Sequence, residues 1–221
     1  MAINKENYIL ISEELKTHNA TLVAVSKTKP VEVIQELYHL GQRDFGENYV
    51  QELTGKQPEL PSDIRWHFIG HLQSNKVKYI APFVHLIQSI DSLKLLQEVN
   101  KQAQKNNRII HVLLQVHIAL EETKFGFDEQ ELLQTDWKQT LKELPNICLH
   151  GLMGMASFTT DEAVVRNEFK NLKRIFDLFA QRHLPAATLQ VLSMGMSGDY
   201  QLAVEEGSNM VRIGSLIFGS R

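Results

Sequence analysis

What most constrains the fold of this chain is an alternation that runs from one end of the sequence to the other. Short β-prone runs are each followed by a longer amphipathic or polar stretch, the pattern of βα units around a parallel sheet. The first run, Thr21-Leu22-Val23-Ala24-Val25-Ser26, is almost wholly apolar, as befits a strand buried on both faces. Further strands are predicted near Arg43–Phe45, Trp66–Ile69, Val84–Ser89, Ile109–Ile118, Ile147–Gly151, Leu189–Leu192 and Met210–Ile213, each except the last followed by a helix. A helix over Lys5–Thr17 precedes the series, and another is predicted from Pro30 to about Leu40, with Gly41 as its stop. Eight βα units in order can close into a barrel, whereas a doubly wound open sheet usually carries a glycine-rich turn after its first strand. Here that turn reads Ser26-Lys27-Thr28-Lys29-Pro30, without glycine. The expected fold is α/β: a single (β/α)8 TIM-type barrel with an extra N-terminal helix, residues 1–221 forming one domain with no second domain.

Composition narrows the partners. With 43% hydrophobic and 22% charged residues the 221-residue chain matches ordinary folded proteins and can bury a substantial core. A formal net charge of −3 offers no electrostatic footprint for nucleic acid or an anionic membrane, so any anionic ligand must be held locally. The first residues lack the apolar run of a secretory signal, and the longest apolar stretch, Ile109 to Leu120, is interrupted by His111, Gln115 and His117. A cytoplasmic protein without a membrane span, acting as a monomer, is expected. The single cysteine, Cys148, lies in Ile147-Cys148-Leu149 and reads as a buried, inert thiol.

Barrel active sites form on the loops at the C-terminal ends of the strands, and phosphates often bind after strands seven and eight. Strand seven leads into Ser193-Met194-Gly195-Met196-Ser197-Gly198-Asp199, either an anion cradle of backbone N–H groups and hydroxyls or a plain N-capped turn. Strand eight leads into Gly214-Ser215, a second small-residue turn. Arg212, inside the apolar run Met210 to Ile217, needs an acceptor, supplied by a salt bridge or by a ligand. Lys27 follows strand one in phase with Val23 and Val25, and Lys29 shares that phase if the chain stays extended. Such a lysine is either a solvated surface residue or, with its pKa lowered by its neighbour, a nucleophilic amine for carbonyl capture. Asn48 could bond a ligand oxygen or cap the next helix. His67 and His71 straddle a strand and a glycine rather than one helix face, so no metal site is expected there. Thr54-Gly55-Lys56-Gln57 lacks the glycine and hydroxyl of a P-loop.

Several blocks now stand together: Val23-Ala24-Val25-Ser26-Lys27-Thr28-Lys29-Pro30, Phe45-Gly46-Glu47-Asn48-Tyr49-Val50-Gln51-Glu52, Trp66-His67-Phe68-Ile69-Gly70-His71 through Lys76, Leu192-Ser193 through Asp199, and Val211-Arg212-Ile213-Gly214-Ser215. In this order they resemble the pyridoxal phosphate homeostasis protein family along most of the chain. The resemblance implies the alanine racemase N-terminal barrel, a fold type III barrel, with pyridoxal 5'-phosphate (PLP) as cofactor. It implies that Lys27 carries the cofactor as a Schiff base, that Arg212 faces the pyridine nitrogen, and that Ser193, Gly214 and Ser215 surround the phosphate. Asn48 matches the family position near the ring. His117 and Ser215 stand where Asn and Thr are common.

Three functions are in play: a carrier or buffer of PLP, a PLP-dependent enzyme of the racemase type, and a cofactor-free aldolase using Lys27. A racemase needs acid and base groups on opposite faces, and its relatives draw one with the help of a second, β-rich domain. The chain ends a few residues past strand eight. Arginine at a pyridine nitrogen also makes the cofactor a poorer electron sink. The expectation is therefore a protein of intracellular PLP and amino-acid/keto-acid homeostasis, with apo PLP enzymes as recipients, no catalytic residue assigned and no turnover.

Overall fold

The computed structural model describes residues 3–121, 125–182 and 184–219. Eight parallel strands close in chain order: β1 Thr21–Val25, β2 Asp44–Glu47, β3 Arg65–Phe68, β4 Leu86–Ile90, β5 Ile110–Val116, β6 Ile147–Gly154, β7 Ala187–Met196 and β8 Met210–Ile213. Closure is made by β1 on β8, with Val23 opposite Arg212 and Ala24 opposite Ile213. The α-helices are α1 Lys5–Thr17, α2 Val31–His39, α3 Val50–Lys56, α4 Val77–Ile80, α5 Leu93–Lys105, α6 Glu129–Gln134, α7 Trp137–Lys142, α8 Glu162–Ala180, α9 Tyr200–Glu205 and α10 Ser215–Phe218. None of the described helices is long and apolar enough to cross a membrane.

Alternation along each strand sorts the core into two layers. In β1, Leu22 and Ala24 pack outward against the helices, while Val23 points into the barrel with Leu86, Leu113, Met153 and Met210. Burying each such side chain stabilises the fold by about 1.5–3 kcal/mol. The expected extra helix is present: Asn4 caps α1 by accepting from Asn7 N–H at 3.0 Å, and the Asn4 N–H donates to Ile217 O at 2.7 Å. The two ends of the chain are thereby held together. α2 stops just before Gly41, whose φ of +102° suits glycine alone.

Strand lengths differ from expectation where bulges intervene. β6 runs on to Gly154 because His150 is an extra residue between the pairs Leu149–Val112 and Gly151–Leu113. This inverts the alternation, so Met153 and not Leu152 points into the barrel. β7 likewise begins two residues before and ends four residues after the predicted Leu189–Leu192 segment, reaching Met196 beyond a register change between Ser193 and Met196. β8 is followed by one turn of helix, α10, where none was expected.

Gly151 is the residue this bulge cannot replace. Its φ is +154°, and an added Cβ would lie 1.8 Å from Val191 O. Gly151→Ala should lower stability by at least ~2 kcal/mol through strain and forced separation of β6 from β7, measurable as a reduced urea midpoint. An unchanged midpoint would contradict the bulge geometry.

Candidate functional site

β1 delivers Lys27 to the C-terminal mouth on a turn that is tied down from beneath. Lys29 N–H donates to Ser26 O at 3.1 Å, and Thr28 turns the chain at φ +64°, so the extended phase predicted for Lys29 is broken. Lys29 Nζ instead donates to Phe218 O at 3.0 Å, joining the turn to α10. Under the turn, the Lys56 ammonium donates to Ser26 O (2.9 Å), Glu47 Oε1 (2.7 Å) and Glu52 Oε2 (2.9 Å). The Ser26 hydroxyl donates to Glu47 Oε1 at 2.6 Å, and Thr28 N–H to Glu52 Oε2 at 2.6 Å. Burial pushes the fully enclosed Glu47 carboxyl above its ordinary range, the Lys56 charge and the Ser26 hydroxyl offsetting only part of that shift. Lys56, dismissed from the sequence as a failed P-loop lysine, is the brace of this turn. Its spacing of four from Glu52 was the available signal.

Above the turn lies a cavity of about 410 Å³, in the size range of small-molecule sites. Lys27, Asn48, Arg212, Gly214 and Ser215, all expected, lie on its wall, with Ser197 and Gly198 beside them. Asn48 does not cap α3, which has Tyr49 at its N-cap and no side-chain cap bond. Its Oδ1 is buried without a hydrogen-bond partner. Gly70 lets β3's exit loop press against it, since a Cβ there would sit 2.3 Å from Asn48 O. Gly214 N–H donates to Ser197 Oγ at 3.2 Å, linking the two small-residue turns.

Ser193, expected beside these turns, does not line the cavity. Because β7 extends to Met196, Ser193 lies inside the barrel, with no exposed surface. Its Oγ accepts from Arg212 Nη1 at 2.6 Å and donates to Gln88 Oε1 at 2.7 Å. Arg212 Nη2 donates to Gly154 O at 2.9 Å. Gln88 Nε2 lies 3.0 Å from His67 Nδ1, and His67 Nε2 lies 3.0 Å from Asp44 Oδ1. Donors and acceptors form one consistent order from Arg212 to Asp44, which assigns the His67 proton to Nε2. Arg65 Nε closes the chain on Asp44 at 2.7 Å. Burial lowers the Arg212 pKa to about 10, so the guanidinium remains charged at neutral pH. Among the described residues no ion pair to Arg212 is formed within the protein.

His67 and His71 do not converge: His67 is inside the barrel, while His71 bonds Asp91 at 3.0 Å and stacks on Phe125. The loop after β5 ties Gln115 to Phe125 O at 2.8 Å and His117 to Glu121 O at 2.9 Å, and Lys124 lies outside the described residues. Cys148 is half-buried on the inner side of β6, not enclosed as expected.

Comparison with known proteins decides what this arrangement belongs to. The alanine racemase N-terminal domain family matches residues 3–221. A pyridoxal phosphate homeostasis protein from Aquifex aeolicus is 44% identical over 203 residues, 91% of this chain and 87% of its own. This chain belongs to the pyridoxal phosphate homeostasis protein family. PipY from Synechococcus elongatus, solved without PLP, superposes with a TM-score of 0.90 at 35% identity, covering 97% of this chain and 99% of PipY. PipY has also been solved with PLP bound, with a TM-score of 0.85 at 34% identity and the same coverage. Alanine racemase from Clostridium difficile shares the fold at 17% identity and a TM-score of 0.77, this chain covering 58% of it.

The interior chain carries an acid signature. Burial opposes ionisation of Asp44, but the hydrogen bonds from Arg65 and His67 and the charge of Arg65 outweigh it and hold the carboxyl far below its ordinary range. The ionised carboxylate therefore stabilises the fold above the unfolded pKa of about 4, and that stabilisation is lost as pH falls below it toward the folded value. Asp44→Asn should reduce stability at pH 7 by about 1–3 kcal/mol and flatten the acid limb of a stability–pH profile. A variant profile parallel to the wild type would remove Asp44 from this role.

Proposed function

We propose that this chain binds PLP through Lys27 and serves inside the cell as a carrier or buffer of the cofactor, with apo PLP enzymes as recipients. The observation that carries this reading is the convergence of Lys27, Asn48, Arg212, Gly214 and Ser215 on one cavity. The donor set fits the cofactor: an amine for its aldehyde, a buried guanidinium for its ring nitrogen, an orphaned amide oxygen near the ring, and small residues with hydroxyls for its phosphate. That PipY binds PLP at 34% identity supports the same reading. When bound, PLP would supply an electron sink for chemistry at an amine substrate.

The residues of this chain bias that chemistry toward holding. Arg212 offers only N–H donors to a ring nitrogen, which disfavours ring protonation and weakens the sink. Ser193 acts one step back, fixing Arg212 by accepting its Nη1–H. Among the described residues lining the cavity, the ionisable groups are Lys27, Lys29 and Arg212. Proton transfer on two faces of a bound substrate requires a second acid or base, and this wall offers no carboxylate, imidazole or phenol for it.

Borohydride reduction of the cofactor-loaded protein followed by peptide mass analysis should locate the pyridoxyl group on Lys27. An adduct mainly on Lys29 or Lys124 would overturn the assignment. Ser215→Ala should weaken cofactor retention by about 1–2 kcal/mol, the loss of a hydrogen bond to a charged group, and pyridoxal should bind less well than PLP. Equal affinity for both forms would refute the phosphate site. Incubation with L-alanine and other amino acids, followed by chiral chromatography, should reveal no turnover, while added apo-enzyme should be activated at the expense of the bound cofactor. Racemisation or transamination that disappears in Lys27→Ala would establish the enzyme instead.

A further inference from the structure

The N-terminal mouth of the barrel, opposite the Lys27 cavity, is crowded with imidazoles. His67, His85 and His111 follow one another with ring centroids 5.5 Å and 6.2 Å apart, and His150 meets His111 edge-on at 4.3 Å. The parallel register sets His111 of β5 beside Cys148 of β6. Ile147 and Leu149 face the helices, which leaves Cys148 and His150 on the inner side before the bulge inverts the alternation. One donor atom from each of His111, Cys148 and His150 lies within 4.8 Å of the other two. The Nδ1 of His111 is buried and has no hydrogen-bond partner. A cavity of about 250 Å³ opens beside His111 and His150.

We propose that His111, Cys148 and His150 form a binding site for a divalent transition-metal ion of the Zn²⁺ class, clamping β5 to β6 at this mouth. One sulfur and two imidazole nitrogens are the donors that borderline-soft ions select, whereas Mg²⁺ and Ca²⁺ require oxygens that the triad lacks. Tetrahedral Zn²⁺, with Zn–S about 2.3 Å and Zn–N about 2.0–2.1 Å, sets its donors roughly 3.3–3.6 Å apart. Closing from 4.8 Å asks about 1 Å of side-chain movement while the two paired strands stay in place. The cavity beside His111 and His150, which His85 also lines, leaves room for a fourth ligand.

The surroundings suit a cation that brings its own charge. A neutral imidazole offers such an ion one ring-nitrogen lone pair. The nearby Arg65 charge is already neutralised by Asp44. Binding transfers the Cys148 proton to solvent and leaves a thiolate on the metal, with no change in oxidation state. The barrel face concerned is the one associated with stability in this fold, and the site stands independently of the PLP reading.

The probe is Co²⁺ added to the full chain, with difference spectra cancelling any cofactor absorption. Cys148 is the only cysteine, so a thiolate-to-cobalt charge-transfer band can arise nowhere else. One equivalent of Co²⁺ should produce that band, and Zn²⁺ should displace it. Cys148→Ser should abolish the band, and both this variant and His150→Gln should bind Zn²⁺ at least about tenfold more weakly, since even the loss of an outer partner costs that much. His71→Ala, at the opposite mouth, should bind like the wild type. Zn²⁺ at a hundredfold excess over its Kd should raise the Tm of the wild type by roughly 5–10 °C, a shift reduced in Cys148→Ser. A cobalt spectrum without charge transfer, or Zn²⁺ affinity undiminished in both ligand variants, would overturn the site, and the first of these is decided on the unmodified chain.

Discussion

The pairing of the first strand with the last is the constraint on which everything else rests. β1 meets β8 with Val23 opposite Arg212, and this single seam brings residues nearly two hundred positions apart in the chain into one wall. Closure leaves no unpaired sheet edge and turns the inner face of every strand toward a shared axis. It also fixes the site: the turn that carries Lys27 leaves β1 beside the turn that carries Gly214 and Ser215 leaving β8. The contacts of α1 with Ile217 and of Lys29 with Phe218 reinforce that seam from outside and from above.

A closed barrel of this size has an interior that must be filled by side chains, and polar groups there must find partners. The protein solves this with two kinds of filling. Val23, Leu86, Leu113, Met153 and Met210 pack the apolar part. Arg212, Ser193, Gln88, His67 and Asp44 pass hydrogen bonds from the cavity that Lys27 lines toward the opposite mouth. The same hydrogen bonds that satisfy the interior hold the guanidinium still at the cavity wall. Arg212 and Asp44 thus stand at the two ends of one ordered sequence of dipoles.

Much of the fold was legible because it depends on local periodicity. The apolar run at Thr21–Val25, the stop at Gly41 and the eightfold alternation each depend on neighbours within a few residues, and all three appear in the structure. Strand ends were less legible: the bulge at His150 and the register change after Ser193 lie in pairings with neighbouring strands, which no single segment encodes. Ser193 shows the consequence. As part of a presumed turn it belonged with the phosphate, but four more residues of β7 carry it into the interior.

The sequence by itself determined the parallel barrel, the lysine at the end of its first strand and the two small-residue turns at the end of its last two, because hydrophobic period and turn chemistry act over short stretches of chain. Only the tertiary structure decided which of those groups share a wall and which polar residues support them. Ser193 and Gln88 are 105 positions apart, Lys56 and Ser26 are 30 apart, and His111 and Cys148 meet only through strand register. Such pairs carry no periodic signal: their contact is created when the barrel closes, and burial then decides which donors and acceptors must be matched.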